Sequence, residues 1–258
     1  MTSALDDDRP IGKILTRREV LARLGGSAFL AACAPATVSS PSTTAPAAVA
    51  ATSAASATVL PSCVVRPALT EGPYFVDEKL NRSDIRADPS TNAVKPGTPL
   101  VLTFLVSKVS GSACTALANA TVDVWHCDAL GVYSDATDPS FNTKGTKFLR
   151  GYQTTDANGS AKFTTIWPGW YRGRAVHIHF KIRTTAANGQ VADFTSQLFF
   201  PDTMNDTVFA NAPYSQKGTA GILRNNGDDI FNQSGGKLTI SPAKTADGYA
   251  VTFDIGLA

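Results

Sequence analysis

Histidine is scarce in this chain: there are three in 258 residues, beside two methionines and four cysteines. Charge is also sparse, at 17% of residues, and 23 Lys and Arg against 21 Asp and Glu leave a formal net charge of +2. The basic residues form no stripe or cluster, which excludes nucleic acid as a partner. No apolar run reaches the ~18 residues that a helical membrane span needs. Beyond the first thirty or so residues no segment sustains an apolar period of 3.6, which excludes a helical bundle. What remains is a chain with enough apolar content, 43%, to build one sizeable core.

The first 32 residues read as a targeting segment. Thr16-Arg17-Arg18-Glu19-Val20-Leu21 resembles a twin-arginine export signal, and residues 25–32 add a short, weakly apolar stretch. Leu30-Ala31-Ala32-Cys33 resembles a lipoprotein signal-peptidase box. The expected product is an exported protein of the cell envelope or exterior, attached to a membrane through a lipidated Cys33; ordinary cleavage nearby would discard that cysteine. Residues 33–60 form an uncharged tract of mainly Ala, Ser, Thr, Pro and Val, a tether that cannot build a core. Cys63, Cys114 and Cys127 fall in the folded part, residues 61–258. Export makes a disulfide plausible, but Cys114 and Cys127 flank one predicted strand and are not expected to pair. Cys63 with either of them is open.

From about residue 61 the chain reads as short strands divided by Gly, Pro, Asn and Asp. Strands are expected over residues 99–107, 120–127, 159–167, 175–183, 193–200 and 249–255, with one or two helical turns within 215–232. The fold class is therefore all-β, an antiparallel sandwich with few short helices.

Two of the three histidines stand in Val176-His177-Ile178-His179-Phe180-Lys181-Ile182. A strand sends alternate side chains to opposite faces. His177, His179 and Lys181 then share one face, while Val176, Ile178, Phe180 and Ile182 share the other. Two neutral imidazoles converging from an anchored strand are half of a metal site, although a histidine-rich polar face would look the same. The pair does not choose the metal. If His126 joined it, the set would be a three-histidine zinc site of hydrolase type; His126 also reads as a packed residue beside Val122 and Val124. Two tyrosines follow strand ends nearby: Tyr133 in Trp125-His126-Cys127-Asp128-Ala129-Leu130-Gly131-Val132-Tyr133, and Tyr171 in Pro168-Gly169-Trp170-Tyr171-Arg172-Gly173-Arg174.

Together with Glu71-Gly72-Pro73-Tyr74-Phe75 and Gln197, these motifs resemble the intradiol ring-cleaving dioxygenases over residues 70–200, in order and in spacing. The resemblance is to the exported, single-domain branch. The long helical N-terminal region of the catechol 1,2-dioxygenases is not recognisable, so their helix-mediated dimer is not expected, and the oligomeric state stays open. The resemblance implies one Fe(III) per chain with Tyr133, Tyr171, His177 and His179 as ligands. It implies Arg174 and Gln197 as catalytic and substrate-contacting residues, and Tyr74 beside the substrate pocket. A catechol-type diol and O2 would be the reactants and a cis,cis-muconate-type acid the product, with Tyr171 leaving the metal and taking a diol proton while Tyr133 stays bound. The chemistry is coherent. Ferric iron is hard and favours anionic oxygen, and a bound cation brings a phenol of pKa ~10 into reach as phenolate. A non-catalytic, lipid-anchored binding sandwich is the competing expectation, and loss of one or more of these residues would have favoured it.

Overall fold

Apolar residues at every second position of residues 100–106 and 178–182 are the pattern of strands that bury one full face. The computed structural model describes residues 64–185 and 189–258; the export segment, the tether, Cys33 and Cys63 lie outside the described residues. The strands are β1 (Pro99–Ser110), β2 (Ala113–Ala116), β3 (Thr121–Trp125), β4 (Thr137–Asp138), β5 (Phe141–Asn142), β6 (Arg150–Thr154), β7 (Ser160–Ile166), β8 (His177–Thr185), β9 (Val191–Phe199), β10 (Ala243–Lys244) and β11 (Tyr249–Leu257). Two short helices, α1 (Asp202–Phe209) and α2 (Asp229–Ser234), lie between β9 and β10.

The strands form two main sheets. In the first, β10, β11, β1 and β2 follow in order, and β7 also pairs with β1. In the second the order is β6, β3, β8, β9. The antiparallel sandwich expected from the sequence is present, with one exception: β1 and β11 run parallel, from Leu100 beside Tyr249 to Lys108 beside Leu257. Leu100, Leu102, Phe104 and Val106 of β1 and Ile178, Phe180 and Ile182 of β8 are all fully buried in one core. Phe104 and Phe180 meet across the sheets with ring centroids 5.2 Å apart, and Phe253 of β11 lies 5.6 Å from Phe180. Such tilted aromatic contacts add to the area they bury.

Strand β6 and helix α1 were not legible in the pattern, whereas α2 begins where helical turns were expected. Strand β6 contains Gly151, which interrupts the strand signal. Helix α1 carries Asp, Thr and Asn in place of strong helix formers, and is retained by tertiary contacts such as Trp167 Nε1 donating to Asn205 Oδ1 at 2.9 Å. Helix α2 is capped by Asp228, whose Oδ1 accepts from the backbone N–H groups of Ile230 and Phe231. Cys127 is a free, buried thiol, and Cys114 is disulfide-bonded, so the two do not pair with each other.

Because Phe180 fixes β8 to the opposite sheet, Phe180→Ala is expected to lower the unfolding free energy by ~3–5 kcal/mol. A denaturant titration measures it; a loss under ~1 kcal/mol would mean that the sheets are joined elsewhere.

Candidate metal centre

The core-facing residues of β8 leave His177 and His179 together on its other face. Both are nearly fully buried, at 4% and 2% exposure. Their Nε2 atoms are 2.9 Å apart. His177 Nδ1 lies 2.6 Å from the Ala175 carbonyl, which requires the proton on Nδ1 and leaves the Nε2 lone pair for the centre. The His179 ring stacks on Trp125, its registered partner on β3, with centroids 5.0 Å apart and planes 8° from parallel. On its far side a Cβ at Gly72 would stand 3.0 Å from His179 Cε1, so the glycine of the Glu71-Gly72-Pro73 motif is required by the imidazole. Burial first, and the Arg174 charge after it, push His177 down to about 3; burial and the His177 ring depress His179 as well. Both rings are neutral at pH 7, as ligands must be.

Tyr133 reaches this point from a loop. Asp128 Oδ1 accepts from the backbone N–H groups of Leu130 and Val132, both at 3.0 Å. Gly131 sits at φ +80°, where an added Cβ would lie 2.2 Å from the Trp170 carbonyl oxygen. This turn delivers the Tyr133 hydroxyl to 3.2 Å from His177 Nε2. Burial raises the Tyr133 phenol well above its ordinary value, with the Cys127 thiol adding to the rise and Arg174 opposing it. Ionisation there calls for a cation beside the oxygen.

Tyr171 is adjacent but turned. Its ring centroid lies 5.8 Å from that of Tyr133. Its hydroxyl lies 2.5 Å from the Tyr74 hydroxyl and 2.7 Å from Asp138 Oδ2. Tyr74 contacts the same carboxylate oxygen at 2.7 Å and stacks on Tyr133 at 4.5 Å. Burial opposes ionisation of Asp138, but donors from Ser140, Tyr171 and Tyr74 outweigh it and hold the carboxyl well below its usual range. Both phenols are raised, by burial first; the hydrogen bonds to Tyr171 and Asp138 raise Tyr74 further, while in Tyr171 the bond to Asp138 adds to the rise and the contact with Tyr74 opposes it. Sequence reasoning missed Asp138: an Asp-Pro step in a loop signals a turn and nothing more.

Arg174 and Gln197, paired in the sequence reading, are in contact. Arg174 Nη2 donates to Gln197 Oε1 at 2.6 Å, and Gln197 Nε2 donates to the Thr70 carbonyl at 3.0 Å. Gln197 lies opposite His179 in the β8–β9 register. Arg174 Nε donates to Asp228 Oδ2 at 2.9 Å, and the same oxygen accepts from Ala175 N at 2.7 Å. Burial would raise the Asp228 carboxyl; the Arg174 charge and the backbone donors bring it below its ordinary value. Asp228 was also missed, because its signal is a helix cap 54 residues from Arg174. Arg150, buried at 3% exposure, ties the segments together by donating to the Ser134 and Tyr74 carbonyls. Lys181, on the histidine face, pairs with Glu71 and lies 4.2 Å above the Phe75 ring, so it braces the Gly72 segment.

The three-histidine arrangement is not formed. His126 Nδ1 donates to the Cys127 carbonyl at 2.8 Å and Nε2 accepts from Thr165 Oγ1 at 2.7 Å, which leaves neither nitrogen for a metal. Among the described residues no three His, Cys, Asp or Glu side chains could hold an ion.

A family profile described as Dioxygenase matches residues 70–258. Among solved structures, the intradiol ring-cleavage dioxygenase from Tetranychus urticae superposes with a TM-score of 0.64 at 30% identity, over 75% of this chain and 94% of that one. The chain belongs to the intradiol ring-cleavage dioxygenases. Among the curated relatives of this chain, catechol 1,2-dioxygenase 2 of Acinetobacter lwoffii is 36% identical over 104 residues, 39% of this chain and 34% of the relative. The protocatechuate 3,4-dioxygenase beta chain of Burkholderia cepacia is 31% identical over 138 residues, 50% of this chain and 56% of the relative. The chain thus spans between about a third and somewhat over half of those relatives' length. The family match extends beyond the motifs, which end near residue 200, and takes in Asp228.

For His126, pushed down to about 4 by burial against ~6.5 in an unfolded chain, the unfolded state binds the extra proton between those values. Its contribution to stability is present above pH ~6.5 and is lost as pH falls towards 4. His126→Gln is expected to flatten that limb of a melting-temperature profile while leaving metal content unchanged, and His177→Ala to abolish metal binding. Loss of metal in His126→Gln, read by elemental analysis, would restore the three-histidine site.

Proposed function

We propose that the folded domain cleaves catechol-type aromatic diols between their two hydroxyl-bearing carbons, with one Fe(III) held by Tyr133, Tyr171, His177 and His179. The observation that carries this reading is that His177 Nε2 lies 2.9 Å from His179 Nε2 and 3.2 Å from the Tyr133 hydroxyl, with the Tyr171 ring 5.8 Å from that of Tyr133. The donor set fits the ion: neutral imidazoles plus phenols that only a strong Lewis acid would ionise in so buried a place. Family membership supports the reaction type, and two relatives are named for catechol and protocatechuate dioxygenation.

Bound iron would supply the Lewis acidity that acidifies the diol and makes its ring reactive towards O2. The protein's residues do the rest. Tyr171 Oη accepts a proton from one diol hydroxyl, and Tyr74 and Asp138 are in place to hold the resulting phenol. The Arg174 guanidinium, oriented by Asp228 and Gln197, stabilises negative charge developing on the ring and on the acyl product; it stays cationic in a water-poor site. Gln197 orients the diol from the strand beside His179. Catechol plus O2 gives cis,cis-muconic acid, with both oxygen atoms retained in the product. We place this activity outside the cytoplasm, with Cys33 as a lipid anchor.

Iron-loaded protein is expected to be burgundy, from phenolate-to-iron charge transfer, and to consume O2 with catechol. Tyr133→Phe should lose or shift the visible band together with the activity. A colourless zinc protein obtained after expression with ample iron would overturn the assignment. Arg174→Lys should retain iron and lower kcat/KM by ~10²-fold, the scale of losing one preorganised charge stabiliser; an unchanged value would remove Arg174 from the chemistry.

A further inference from the structure

A cleft of about 790 Å³ opens on the outer side of Tyr171. It is bounded by the three segments that carry or hold the tyrosines: Leu130 and Val132 before Tyr133, Pro139 and Phe141 after Asp138, and Trp170 with Tyr171. Its size falls within the ~300–1,000 Å³ of pockets that enclose drug-sized ligands. A monocyclic diol held beyond Tyr171 would leave most of it wet. The wall is mainly apolar, with Asp138, Ser140, Arg172 and Lys217 at its polar parts, and Leu130 is a large hydrophobic residue left 39% exposed there.

The wall is also preformed. Trp170 Nε1 donates to the Gly218 carbonyl at 2.8 Å. Lys217 Nζ donates to the carbonyls of Leu130 and Trp170 at 2.7 and 2.8 Å, and lies 4.0 Å from the indole centroid. A Cβ at Gly221 would come within 3.0 Å of the indole edge. The indole is thus clamped on several sides before any ligand arrives, the condition under which an aromatic wall contributes most to binding.

We propose that this cleft is a subsite for a second aromatic ring, so that the preferred substrates are catechols joined to an aryl group rather than catechol itself. The inference rests on the ring-cleavage reading: the diol is anchored at the histidine and tyrosine centre, and the appended ring passes Tyr171 to lie against Trp170, Phe141 and Leu130.

The test compares catechol with 4-phenylcatechol on the iron-loaded, full-length protein by oxygen uptake. The aryl diol should show a higher kcat/KM by on the order of tenfold, the scale that burial of one aromatic ring supplies. Trp170→Ala should remove that advantage and move catechol less than about twofold, a shift within the scatter of ordinary surface changes. Leu130→Gln, at an exposed position, should reduce the advantage in the same sense and guards against a Trp170 variant that fails to fold. Equal or reversed preference, or a parallel fall for both diols, overturns the subsite. If neither diol supports oxygen uptake, the ring-cleavage reading fails. Anaerobic calorimetry with the same two diols then judges the cleft alone: tighter binding of the aryl diol, lost in Leu130→Gln, supports it, and equal affinities overturn it.

Discussion

Strand β8 can present two buried imidazoles at one point because its opposite face is held in the sandwich core. Ile178, Phe180 and Ile182 are fully buried between the sheets, and Phe180 meets Phe104 and Phe253 from the facing sheet. A shift of one residue in the register of β8 would exchange its faces, sending the histidines into the apolar core and Phe180 to the site. Pairing with β3 and β9 forbids that shift and also sets the neighbours of the centre: Trp125 against His179 on one side, Gln197 on the other.

The rest of the site surrounds that fixed pair with groups whose cost of burial is met by specific partners. Asp228 offsets the Arg174 charge and caps α2 in the same stroke. Arg150 is buried yet satisfied by carbonyls of the Tyr74 and Tyr133 segments. Asp138 gathers Tyr74 and Tyr171. Trp125 and His179 stack on each other at the edge of this network, their ring planes 8° from parallel.

Much of this was legible in the chain. Alternation marked the strands that build the core, because period-two burial has one structural solution. The His-x-His spacing marked a shared face for the same reason. Asp138 and Asp228 were not legible: each has an ordinary local role, in the short β4–β5 hairpin and as a helix cap, and becomes part of the site through a partner 33 or 54 residues away. Strand β6 and helix α1 escaped as well, since Gly151 and the Asp, Thr and Asn of α1 carry little intrinsic preference for the states they adopt.

By itself, then, the sequence determined the all-β class and the identity of the strand carrying the histidines, both of which follow from local rules of side-chain alternation and need no knowledge of distant neighbours; the tyrosines joined the histidines as candidate donors only through the family resemblance. Tertiary structure decided which candidates meet. It placed His177 Nε2 within hydrogen-bond distance of both the Tyr133 hydroxyl and His179 Nε2, turned Tyr171 towards Tyr74 and Asp138, and occupied both nitrogens of His126 with Cys127 and Thr165. The physical reason is that convergence is a property of packing: residues far apart in the chain are brought to one point only when two sheets close on a common core.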